Sequence, residues 1–151
     1  MNDSSIWMYL TMALAGLAIP VMAALSAGIG QKVGAPTAAC AIFATAALAA
    51  AVFAQINGGL KIGSAAAVLA PALLAGALIA FYLLSITLLG PRIGIGTAVL
   101  LVLVGQVVSA FIIDTLGLLG APRTAISVPR VCGIVLMIVG VVLARRPIAE
   151  P

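Results

Sequence analysis

Asp114 is the only carboxylate of this 151-residue sequence that lies between the two tails. Buried among apolar neighbours, such a group can take up and release a proton and so couple a process to a proton gradient. Near a surface, with Arg123 nine residues further on, it is an interfacial acid. A second set of polar groups lies just upstream. Gln106, Ser109, Ile113 and Gly117 recur at helical spacing and share one face, with Ala110 beside them and Asp114 about 80° around from Gln106. The Gln106 amide offers four hydrogen-bonding positions, enough to hold a solute or to staple a partner helix. Ser109 alone would more often bond its own helix backbone. Tyr82 and Ser85, three residues apart, share another face. The Tyr82 ring can stack on a flat or cationic solute while its hydroxyl orients it, or it can pack and bond to a neighbouring helix. Ser26 completes the candidate solute-binding set, with Pro20 as a candidate hinge.

Other chemistries have no support. The sequence has no histidine and two cysteines, so neither a zinc cluster nor a disulfide framework is expected. Cys40 and Cys132 lie in apolar stretches and are expected to be small buried hydrophobes. There is no P-loop, nucleophile elbow or pair of close carboxylates. We therefore expect no catalytic residues, no metal and no cofactor. The seven Lys and Arg residues stand mostly singly between apolar runs, a pattern of inter-helix loops and not of a nucleic-acid surface.

The elements that must position these groups follow from composition. Hydrophobic residues make up 65% and charged residues 7%, with a mean hydropathy of +1.38. Too little charge is present to coat a soluble domain, so lipid must replace water around most of the chain. A bilayer core of about 30 Å needs roughly 20 apolar residues per helix. Runs of that kind occur at Ile6–Ile29, Pro36–Ile56, Ser64–Leu89, Gly94–Leu116 and Val128–Ala144. The expectation is an all-α integral membrane protein of five transmembrane helices in one domain, residues 1–151. A β-barrel is disfavoured because Ala38–Ala54 shows no alternation of apolar and polar residues.

The dividers Gln31-Lys32-Val33-Gly34, Asn57-Gly58-Gly59-Leu60-Lys61, Gly90-Pro91-Arg92 and Gly120-Ala121-Pro122-Arg123 pair turn formers with a cation and are expected to be short surface loops. Trp7 and Tyr9 open the first span at headgroup level. The N-terminus lacks a basic region and its apolar run is too long for a cleaved signal, so it is expected to be a retained span. Pro20, deep in the first span, removes a helical hydrogen bond and marks an incidental kink, a hinge or a discontinuous helix. Small residues at four-residue spacing (Ala23 with Ala27, Ala24 with Gly28) and Gly133 and Gly140 in the last span allow close backbone approach.

Five spans place the termini on opposite sides. Lys61, Arg123 and Arg130 then share one side, and Lys32, Arg92, Arg145 and Arg146 the other. Orientation follows Lys and Arg bias, and three against four is almost none. The simplest expectation is insertion in both directions and pairing with an inverted copy; the alternative is a single topology set by Arg145 and Arg146.

Gly16-Leu-Ala-Ile-Pro20-Val21, Ser26-Ala27-Gly28-Ile29-Gly30 and Gly34-Ala35-Pro36 resemble the first helix and loop of the short YdcZ-like branch of the drug/metabolite transporter superfamily. So do Gly76…Phe81-Tyr82, Gly90-Pro91-Arg92-Ile93-Gly94, and the ordered set Gly105-Gln106…Ser109…Ile113-Asp114…Gly117 to Arg123. The resemblance runs from Gly16 to about Arg146. It implies a five-helix protein of a bacterial inner membrane, equivalent to half of a ten-helix inverted-repeat bundle and completed by an antiparallel dimer. Relatives also occur as heterodimeric pairs or fused duplicates. The resemblance supplies no substrate; the function expected from the whole reading is a secondary-type transporter or facilitator, an exporter of a small organic solute working by alternating access. Its partners would be the lipid bilayer, an inverted copy and the solute, with no nucleic acid. Relatives tend to carry amides where this chain has Met22 and Ser26, which implies a less polar cavity along the first helix. The span-one glutamate of small multidrug resistance transporters is absent. The alternative is a non-transporting scaffold or accessory subunit of a larger assembly.

Overall fold

The computed structural model describes residues 3–59 and 65–144, and these are helical apart from short connections. Five α-helices occur among the described residues: α1 (Asp3–Val33), α2 (Ala35–Ile56), α3 (Ala65–Ile93), α4 (Ile95–Leu116) and α5 (Val128–Ala144). A 3₁₀ turn, Leu118–Gly120, follows α4. Four helices, α1 to α4, are long and apolar enough to cross a membrane. The fifth is apolar but shorter, at 17 residues. At 1.5 Å per residue it reaches about 26 Å, against a hydrocarbon core of about 30 Å.

Two of the expected surface loops are helix. Gln31, Lys32 and Val33 form the last turn of α1, and Gly90, Pro91 and Arg92 lie within α3. The chain breaks instead at one residue each time, Gly34 (φ 87°, ψ 146°) and Gly94 (φ 87°, ψ 133°). Only glycine occupies that conformation without a steric penalty, so one residue suffices to end one helix and start the next. The last turns of α1 and α3 therefore extend beyond the expected spans, carrying Lys32 and Arg92 in helical form. The third divider is a turn at Asn57 and Gly58, with Asn57 Nδ2 donating to the Phe53 carbonyl at 2.8 Å. Its Leu60 and Lys61, together with Arg145 and Arg146 of the charge count, lie outside the described residues.

The chain divides into two compact units, Met1–Arg92 and Ile93–Pro151. In the first, the buried side chains belong to the C-terminal part of α1 (Ala23, Ser26, Ala27), the start of α2 (Ala35, Ala38, Ala39) and the C-terminal part of α3 (Leu83, Ile86, Thr87). Alanines at four-residue spacing allow the backbones to approach closely, which matters where lipid tails remove the hydrophobic driving force. Ala23 and Ala27 are used this way; Ala24 and Gly28 face outward. In the second unit, Asp114 at the end of α4 meets Arg130 at the start of α5, and a shallow pocket joins Ile93–Leu100 to Ala144. The two helices are thus antiparallel. Gly133 and Gly140 are exposed, as are Cys40 and Cys132. The cysteines are therefore not buried hydrophobes: each lies on an outer helix face, where an apolar thiol is as well accommodated by lipid as by a core.

Candidate functional site

The first unit holds Pro20, Ser26, Tyr82 and Ser85. Ser26 is fully buried, and its hydroxyl is hydrogen-bonded to that of Thr87 on α3. Thr87 donates its own proton to the Leu83 carbonyl at 2.7 Å. A hydroxyl has one proton to give, so Ser26 is the donor between the two. The contact has room because Gly30, one turn beyond Ser26, has no side chain: a Cβ there would collide with the Thr87 methyl. Ser26 is therefore occupied in joining α1 to α3. Thr87 did not stand out in the sequence; a Thr four residues after a leucine in an apolar helix only suggests a bond to its own backbone.

Tyr82 is half-buried on α3, and its hydroxyl is enclosed with no hydrogen-bond partner among the described residues. A buried phenol left unpaired costs about 1–3 kcal/mol, so this oxygen is an unsatisfied polar group within α3. Ser85, on the neighbouring position of the same face, is half-buried too. The helix is continuous through Pro20, which is exposed. A groove of about 570 Å³ opens beside α1, lined by Leu14, Leu17, Val21, Met22, Leu25 and Ile42. All of its walls are apolar, and Met22 stands where an amide was expected from the family pattern.

The second unit holds Gln106, Ser109 and Asp114 on α4. Gln106 and Ser109 are exposed, with Gly105 and Ala110 exposed beside them. This strip of small and polar residues lies at the middle of a 22-residue apolar helix. Asp114 is half-buried and accepts from Arg130 Nη2 at 2.5 Å. Arg130 Nη1 donates to Thr124 Oγ1 at 3.1 Å, and its guanidinium carbon lies 5.3 Å from the centre of the Phe111 ring. The Thr124 backbone N–H reaches the Asp114 carbonyl at 2.9 Å. Asp114 is thus the hub that ties α4, α5 and the connecting segment together. Its partner is Arg130, two residues inside α5, whereas sequence distance had favoured Arg123. Arg123 turns instead to the Thr115 carbonyl, donating from Nε at 3.2 Å.

Long apolar helices, single-glycine corners and a few polar groups held in or near helix contacts define a multi-pass α-helical membrane protein. A sequence-family model described as "Putative inner membrane exporter, YdcZ" matches residues 7–143. The chain belongs to this family, and is a multi-pass inner membrane protein of a transporter family. No curated protein and no solved structure matches it.

Proposed function

We propose that this chain is half of a secondary-type exporter of a small organic solute, completed by an inverted copy of itself. In this reading α5 is a fifth crossing, and two copies enclose one cavity near the bilayer midplane. The exposure of Gln106 and Ser109 carries the proposal. An amide facing hydrocarbon is costly, and residues at mid-helix are too far from the surface to reach it. Glycine and alanine on the same face suit close helix approach, so a second protein surface is the natural cover. The near balance of cations supports an inverted arrangement of that second copy. The free Tyr82 hydroxyl and Ser85 add a second polar patch for a solute, and rocking of one half against the other would alternate access.

Solute flux in liposomes tests the proposal. Gln106→Ala and Tyr82→Ala are each expected to lower flux at least about tenfold, the loss of one hydrogen bond to a bound polar ligand. Flux unchanged in both variants removes the proposed site. One observation favours the second reading, a scaffold that transports nothing: Ser26 and Asp114 both spend their polar groups on internal packing. Absence of flux for every solute in a broad screen, with a stable complex retained, would select it.

A further inference from the structure

The segment between α4 and α5 holds a pocket that neither packing nor the proposed transport site uses. It is lined by Thr115, Arg123, Thr124, Ala125 and Ile126 and has a volume of about 440 Å³. Arg123 is exposed, and its Nε bond to the Thr115 carbonyl fixes the plane of the guanidinium. Both Nη groups remain without partners among the described residues. Asp114, the carboxylate at the end of α4, is already committed to Arg130. A planar cation with both Nη groups unpartnered is suited to a tetrahedral oxyanion, which accepts from both at once.

The surroundings point to where that anion comes from. Gly117 (φ 65°) and Leu119 (φ 56°) reverse the chain directly after α4, and Leu119 is the only non-glycine residue with positive φ among the described residues. The reversal leaves Leu119 92% exposed and Ile126 64% exposed on either side of Arg123 in the chain. Large apolar side chains so exposed are at home in the acyl region of a bilayer, with the arginine at headgroup depth. We propose that this pocket binds the phosphate of an anionic phospholipid, with Arg123 holding the phosphate and Leu119 and Ile126 contacting its chains. The proposal is independent of whether the chain transports a solute.

Native mass spectrometry of the purified full chain, equilibrated with phosphatidylglycerol or with phosphatidylcholine of the same chains, tests it. Wild type is expected to retain phosphatidylglycerol, and Arg123→Gln to weaken that retention about fivefold or more. Arg123→Lys, which keeps the charge and loses the planar fork, should give an intermediate loss, and it serves if Arg123→Gln does not fold. Arg92→Gln, another exposed cation, should leave retention unchanged. Equal retention by wild type and Arg123→Gln overturns the proposal, as does an equal loss in Arg92→Gln. Displacement of the lipid by excess inorganic phosphate would overturn the lipid source, making a free phosphate the ligand.

Discussion

Gly30 and Thr87 show how one missing atom shapes this molecule. Gly30→Ala would drive a methyl into Thr87 and is expected to destabilise the protein by about 1–3 kcal/mol, the usual range for overpacking. Thr87→Ser removes the obstructing methyl and keeps the hydroxyl, so the double variant should recover most of the loss. Thermal unfolding in detergent reads both, and an unaffected Gly30→Ala protein would contradict the packing described. The Asp114–Arg130 pair behaves differently, because side chains 37% and 32% exposed are partly screened by solvent. Asp114→Asn keeps an acceptor for Arg130 and should cost no more than about 1 kcal/mol. It is therefore a clean probe of coupling: flux equal to wild type at every pH would leave the pair a structural link alone.

At the scale of elements, the corners matter more than the helices. Gly34 and Gly94 share nearly the same backbone conformation, and each turns one helix into the next with no intervening loop. Gly34→Ala and Gly94→Ala should each cost about 1–3 kcal/mol, the penalty for a side chain in a region reserved for glycine. Gly28→Ala, in open space on an exposed face, should cost nothing by the same measurement. Comparable losses at all three positions would mean that backbone strain is not the cause. Pro20 makes a contrasting case. The helix passes through it unbroken, so Pro20→Ala restores a backbone donor and should preserve or raise the melting temperature. Under the proposed function it should also lower flux by stiffening α1; undiminished flux would remove Pro20 as a hinge.

At the scale of the whole molecule, most of the helical surface awaits a neighbour. The membrane-crossing window of α4 is 6% buried, the lowest of the four long helices. Lipid satisfies its leucines, but Gln106 needs protein or water. Gln106→Leu should therefore lower the dimer fraction at least about fivefold, scored by cross-linking in membranes, if the amide bridges two copies. A dimer unaffected by this change would place the interface elsewhere. Terminal tags should appear on both sides of the membrane; a tag confined to one side would leave the inverted pair without support.

Much was legible in the sequence because the bilayer restricts what a backbone can do. Apolar runs of twenty residues must be helices there, so membrane location, helix count and the approximate limits of α2, α4 and α5 followed from hydropathy alone. Family membership was legible too, in the order of glycines and prolines around the corners. What the sequence did not disclose depends on contacts between distant residues. That Ser26 meets Thr87, that Asp114 takes Arg130 and leaves Arg123 to the Thr115 carbonyl, and that Gly34 and Gly94 alone make the corners are outcomes of packing. Polar side chains in a helix have several partners within reach, and hydropathy does not distinguish among them. Asp114, the lone carboxylate, is the clearest instance. Its sequence position made it conspicuous, but only the antiparallel approach of α4 and α5 decided which arginine it would hold.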